Sequence, residues 1–124
     1  MSKEIQSFRD LKVWQKAIGL AKDVYVLTRK FPADERFGLT AQVRRAVVSV
    51  SSNVAEGHAR QGRGFSNFPS ISRGSLAEVE SQLYLAAELG YLSNQEIANS
   101  CDLASELHRM LTALRNSINN RPND

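Results

Sequence analysis

Val47-Val48-Ser49-Val50-Ser51 is the stretch on which the fold turns. Taken alone, three valines among serines read as a strand, because β-branched side chains suit a pleated surface. The flanking residues argue otherwise. Leu39, Val43, Ala46, Val50 and Gly57 fall in one three-four row, with Val47 and Val54 beside it, and no turn signal follows the valines. The spacing predicts a helix from Asp34, a good cap, to about Arg60. Gly62-Arg63-Gly64 then marks a flexible connection.

The same period continues on both sides. From Phe8 to Lys30, Leu11, Trp14, Ile18, Ala21, Tyr25 and Thr28 form one row. Val13, Ala17, Leu20, Val24, Leu27 and Phe31 form a second beside it. Two adjacent rows suit a bundle or an oligomer better than a lone surface helix, and with Trp14 and Tyr25 at one edge they predict a face buried between subunits. Ser7 with Asp10 can cap the start, and Phe31-Pro32 ends the stretch, since the residue before proline avoids helical angles. Phe65, Phe68, Leu76, Val79, Leu83 and Ala86 approximate a third row that stops at Gly90. With Ser66 as cap, Pro69 falls in the first turn and forfeits no bond, so this helix is expected to begin between Phe65 and Pro69. Ser75-Leu76-Ala77-Glu78 reads as a second capping box, which leaves a break at Gly74 open. A fourth stretch opens with Ser93-Asn94-Gln95-Glu96 and carries Ile97, Cys101, Ala104, Leu107, Leu111, Leu114 and Ile118 on one side. Four amphipathic helices with short connections specify an all-α, antiparallel up-and-down four-helix bundle. A single domain over residues 1–124 is expected, with frayed ends at about 1–6 and 119–124.

Composition agrees with a globular chain: 124 residues, 42% apolar and 23% charged. One cysteine excludes an internal disulfide and a cysteine-based zinc site. The apolar runs are too short to span a membrane, so no membrane partner is expected. Met1-Ser2-Lys3-Glu4-Ile5-Gln6 shows no apolar leader core, and a cytoplasmic location is the expectation. The net charge of +3 is unevenly placed. Residues 1–64 carry twelve Lys+Arg and six Asp+Glu, and the remainder carry four and seven. A basic half points to an anionic partner or a complementary subunit surface, with solvated helix faces as the plain alternative.

The chain carries few residue patterns of catalytic chemistry. A bundle di-metal site needs Glu-x-x-His pairs, and no Glu here has a His three residues on. His58 and His108 lie at the ends of different helices, where surface or cap roles are expected. Cys101 sits on an apolar row, as a small core residue does. There is no Gly-x-Ser-x-Gly elbow, and Gly62-Arg63-Gly64 is too short for a phosphate-cradling loop. No cofactor, no metal and no catalysis are expected. One constellation stands out: Asn53, Glu56 and Gly57 end the second helix, and Gly74, Ser75 and Glu78 lie in the third. An antiparallel hairpin would bring them together as a polar layer that fixes register, the small residues letting the helices approach.

Several segments, in order, carry a resemblance. They are Leu11-Lys12-Val13-Trp14-Gln15-Lys16-Ala17, Phe31-Pro32 with Glu35, Gln42-Val43-Arg44-Arg45-Ala46, Ser52-Asn53-Val54-Ala55-Glu56-Gly57, Arg73-Gly74-Ser75-Leu76-Ala77-Glu78 and Leu89-Gly90-Tyr91. Over about residues 7–118 the chain resembles the four-helix bundle proteins encoded in intervening sequences of bacterial 23S ribosomal RNA genes. That family is in turn similar to the accessory protein of diversity-generating retroelements. The resemblance implies a bundle assembled into a ring-like homopentamer, a non-enzymatic role, and nucleic-acid binding. It implies a partner protein such as a reverse transcriptase as well. Phe68-Pro69-Ser70-Ile71-Ser72 departs from the family pattern, which continues a helix with Leu and Ala there.

The residues expected to meet RNA or DNA phosphates are Lys12, Lys16, Arg44, Arg45, Arg60, Arg63 and Arg73. Arg9, Lys12 and Lys16 share a helical face. No aromatic platform with base-stacking spacing is evident, so charge-driven contact with little sequence readout is expected. The alternative is a protein-assembly scaffold without direct nucleic-acid binding.

Overall fold

The valine-rich segment is helical. In the computed structural model, which describes residues 5–60 and 68–119, it lies inside α2. The helices are α1 (Lys12–Thr28), α2 (Leu39–Arg60), α3 (Phe68–Glu88) and α4 (Asn94–Asn119), with short 3₁₀ turns at Phe8–Asp10 and Ala33–Glu35. There is no strand among the described residues. Val47 and Val50 are fully buried and Val48 faces out. Burying a valine contributes about 1.5–3 kcal/mol, against a helix-propensity penalty below about 1 kcal/mol, so burial decides the conformation.

Each helix packs against its chain neighbours, and α1 closes on α4, while among the described residues no Cα atoms of the diagonal pairs come within 8 Å. The directions alternate. Ser49 meets Ser75, Ser72 meets Val50, and Gly57 lies under Phe68, so α2 and α3 run opposite ways. Lys16 pairs with Glu106 and Lys30 with Glu96, which sets α1 antiparallel to α4. The core contains Leu20, Val24, Val43, Val47, Val54, Leu76, Val79, Leu83, Leu107 and Leu111. On α1 the buried row is Val13, Ala17, Leu20, Val24 and Thr28. Leu11, Trp14 and Ala21 pack along its flank, Trp14 edge-on to Phe8, and Tyr25 is exposed.

The ends of the helices differ in detail from expectation. Ser7 and Asp10 do form a capping box, but on the 3₁₀ turn; α1 begins beyond it without a side-chain cap. Asp34 does not cap α2, because residues 33–35 tighten into a 3₁₀ turn and the helix starts at Leu39. Glu35 supplies the cap instead. Its Oε1 accepts the Leu39 N–H at 3.1 Å and its Oε2 accepts the Tyr91 hydroxyl at 2.8 Å. The Leu39 N–H, then the Tyr91 hydroxyl, hold this carboxyl below the usual carboxylate range. Gly38 leaves the room: a Cβ there would stand 2.8 Å from Glu35 Oε1. Ser93 and Glu96 make the reciprocal box that opens α4, and Gly90, at φ +80°, ends α3.

Pro69 sits in the first described turn of α3, fully buried, and the helix runs through Gly74 without a break. Phe65 and Ser66 lie outside the described residues. At the chain ends, the Gln6 N–H donates to Asp10 and Asn119 belongs to α4, while residues 1–4 and 120–124 are outside. No described helix is long and apolar enough to cross a membrane.

Candidate nucleic-acid interface

All four helices place cations at one end of the bundle. When each helix is divided at its midpoint, this end holds the start of α1 and α3 and the finish of α2 and α4. Its described cations are Arg9, Lys12 and Lys16, then Arg60, then Arg73, then Arg109 and Arg115. Asp10 and Glu56 lie in the same half, and Glu106, near the middle of α4, pairs with Lys16. Asp10 already accepts the Gln6 and Ser7 N–H groups. The other end is acidic, with nine described carboxylates against six cations. Antiparallel folding thus re-sorts a charge imbalance between chain halves into one along the bundle axis.

The predicted phosphate-binding residues do not form one patch. Lys12, Lys16, Arg60 and Arg73 gather at the basic end, and Arg44 and Arg45 lie in the other half of α2. Lys12 is exposed and unpaired among the described residues. Lys16 reaches Glu106 at 2.9 Å and Arg60 reaches Glu56 at 2.8 Å. Both are surface pairs, worth little and easily exchanged for a phosphate. Arg44 is otherwise engaged: its Nε donates to Thr28 Oγ1 at 2.8 Å and its guanidinium lies 4.5 Å from the Tyr25 ring centre. Arg45 is exposed. Arg73 is half-buried, and its Nε is enclosed with no acceptor. Arg63 lies outside the described residues. Arg109 and Arg115 were absent from the predicted set; no local motif marks them, and only the topology of α4 brings them to this end.

The predicted polar layer is assembled in part. Ser75 Oγ and Ser49 Oγ are 2.8 Å apart across α2 and α3, and Asn53 Nδ2 donates to Ser49 O at 2.7 Å and Oγ at 2.9 Å. Ser72 Oγ donates to Val50 O at 3.1 Å in the buried interface. Glu56 and Glu78 are not part of it: both are exposed, and Glu56 turns to Arg60 one turn on. Gly74 is exposed with nothing near it, and Gly57 makes room for the Phe68 ring rather than for backbone. Ser49 and Ser72 were missed. A serine at 72 on the row Phe68, Leu76, Val79, Leu83 was the available signal.

Beside this layer, Gln42, Arg45, Ala46, Ser49, Ser75, Glu78 and Gln82 line an open groove of about 370 Å³. On the α3–α4 side, Glu80 Oε1 meets His108 Nε2 at 2.5 Å, both half-buried. Cys101 is half-buried on the flank of the core, and burial pushes its thiol up, away from the nucleophilic thiolate. The Tyr84 hydroxyl beside it is likewise raised, chiefly by its hydrogen bond with Cys101. Among the described residues no three His, Cys, Asp or Glu side chains are grouped to hold a metal ion.

A family model described as 23S rRNA-intervening sequence protein matches residues 9–113. A crystal structure from Bacteroides thetaiotaomicron, described as a protein with unknown function from the S23 ribosomal protein family, has the same fold. Its TM-score is 0.76 at 21% identity, over 83% of this chain and 97% of that one. No curated protein matches the chain.

Proposed function

The chain belongs to the 23S rRNA-intervening sequence protein family, and we propose that it acts as a non-enzymatic, oligomeric bundle that binds nucleic acid through its basic end. The observation that carries this reading is the axial sorting of charge. Seven cations, Arg9 and six from the four helices, gather at one end. There Asp10 is engaged by backbone N–H groups, Glu56 pairs with Arg60, and Glu106 near the middle of α4 pairs with Lys16. Phosphate affinity grows with the number of charges neutralised, so a single chain at +3 binds weakly. A ring of five, the assembly implied by the resemblance, repeats the basic end and carries about +15, which supports avid, sequence-tolerant contact. Lys12, Arg60, Arg73, Arg109 and Arg115 are the residues proposed to engage the backbone, with Arg9 and Lys16 beside them.

A specific observation favours a second reading, in which the bundle serves as an assembly partner of another protein, such as a reverse transcriptase. Phe37 is 85% exposed at the acidic end, and Leu85 on α3 and Leu89 just beyond it are exposed in the same half. Titration of labelled RNA and duplex DNA by fluorescence anisotropy at two salt concentrations separates the two. The first reading expects binding at low salt that falls steeply as salt rises, with a logarithmic slope of about −0.9 per phosphate for duplex DNA. Salt-insensitive binding, or none at low salt, moves the function to the second. Light scattering at micromolar concentration tests the pentamer, and a monomer mass refutes it.

A further inference from the structure

The α3–α4 groove carries facing side chains at heptad spacing. His108 and Arg115 are seven residues apart on α4 and so share a face, as do Glu80 and Arg73 on α3. Glu80 and His108 meet across the groove. One heptad nearer the basic end, in both helices, the facing residues are Arg73 and Arg115. Where the first rung joins a carboxylate to an imidazole, the same spacing brings one arginine from each helix to the second. Both arginines are half-buried and neither has an ion-pair partner among the described residues.

Arginine cannot relieve like-charge repulsion at one register by losing its proton. An enclosed charged donor without an acceptor is costly, and Arg73 Nε is one. The element missing from this rung is an anion with several acceptor oxygens. Ala77 and Thr112, which lie between the two rungs, are small, and Ala77 is exposed. Two planar forks at one register match the oxygens of a phosphate better than they match a point charge.

We propose that Arg73 and Arg115 clamp one phosphate group in the α3–α4 groove at the basic end. This deepens the nucleic-acid reading and rests on it for the source of the phosphate, a nucleic-acid backbone; free phosphate supplies the same chemistry. The Arg73 Nε–Hε resonance of ¹⁵N-labelled protein is followed on addition of inorganic phosphate, of a single-stranded RNA oligonucleotide, of a polyglutamate peptide, and of chloride at matched ionic strength. Fluorescence anisotropy of labelled RNA is measured for the parent and for Arg73→Lys with Arg115→Lys, which keeps both charges and removes both forks. Phosphate and RNA are expected to move the resonance and chloride to leave it. The double lysine variant is expected to bind RNA about tenfold more weakly, the loss of one charge-assisted bond. Equal RNA binding by parent and variant with an unmoved resonance overturns the clamp and leaves charge-driven binding standing. A resonance moved by phosphate in a protein that binds no RNA at low salt supports the clamp and refutes the nucleic-acid reading. A response to polyglutamate and not to phosphate overturns the clamp in favour of a protein carboxylate. Should the variant fail to fold by circular dichroism, the parent's resonance alone decides.

Discussion

Two glycines, at 57 and 74, should respond in opposite directions to the same substitution. A Cβ at Gly57 would lie 2.2 Å from Phe68 Cδ1, 2.4 Å from Cγ and 2.6 Å from Cβ. Carbon atoms settle at about 3.5–4.0 Å, so Phe68 must retreat by more than about 1 Å. Ring rotation alone does not suffice, because Phe68 Cβ is itself too close and is fixed to the backbone of α3. The first turn of α3 must shift, carrying buried Pro69 with it. Over-packing costs about 1–3 kcal/mol, a clash with a backbone-tied atom belongs in the upper part at about 2–3 kcal/mol, and the better helix propensity of alanine returns about 1 kcal/mol. Gly57→Ala is therefore expected to destabilise by about 1–2 kcal/mol, rising to about 3 kcal/mol if Phe68 leaves its pocket. At Gly74 a Cβ meets nothing within 4 Å, on an exposed helical face. Gly74→Ala keeps the whole propensity gain, up to about 1 kcal/mol. The two variants should melt about 6–15 °C apart, at about 3–5 °C per kcal/mol for a chain of this length. Thermal and urea unfolding followed by far-UV circular dichroism measures it. A Gly57→Ala protein as stable as the parent would mean that α2 and α3 do not pack as described here.

Arg44 and Arg45 are neighbours with separable roles. Arg44→Ala should cost about 1 kcal/mol in urea unfolding, through the lost Tyr25 contact and Thr28 bond, and Arg45→Ala should stay within about 0.5 kcal/mol. Glu35 should couple stability to pH. Its carboxyl titrates below the ordinary value of about 4.3 in the folded chain, so the unfolded chain binds more protons in that window. Its stabilisation is present above the unfolded value and is lost as pH falls through the folded one. Melting temperatures taken from about pH 6 to about pH 3 should fall less for Glu35→Gln than for the parent, with a residual fall from Glu96, whose carboxyl is lowered by Lys30 and the Ser93 N–H. Parallel curves for the two proteins would remove Glu35 from that role.

What was legible in the sequence was whatever follows from period. The row Leu39, Val43, Ala46, Val50, Gly57 with Val47 and Val54 is buried, and only Ser51 joins it. That pattern is local, because a helix repeats every 3.6 residues whatever it packs against. The Glu35 cap was not legible, because it acts through a 3₁₀ turn and a tyrosine 56 residues away. Gly57 read as a site of close backbone approach, and the real neighbour is a phenyl ring that only the α2–α3 register supplies. Arg44 read as solvent-facing charge, and Tyr25 and Thr28 claim it through the register of α1 on α2. The candidate interface was hardest of all. Lys12 and Arg109 meet at one end although nearly the whole chain separates them, and no window of sequence contains both.

The axial sorting of charge also constrains assembly. Cyclic symmetry gives every subunit the same polarity along the ring axis. The proposed pentamer therefore gathers its basic ends on one face wherever the bundles stand along that axis. Like charges are barely screened at about 0.01 M salt, where the Debye length is about 30 Å, and well screened at about 0.15 M, where it is about 8 Å. If apolar surface holds the subunits, assembly without nucleic acid should strengthen as salt rises across that range. A polyanion on the basic face cancels the same repulsion, so RNA should restore assembly at low salt. Sedimentation velocity at micromolar protein, with and without RNA, reads both effects. The opposite salt dependence has a distinct structural meaning. Assembly that dissolves on adding salt is held by charge, as when the basic end of one bundle meets the acidic end of the next. That head-to-tail contact does not close and builds open stacks in place of a ring.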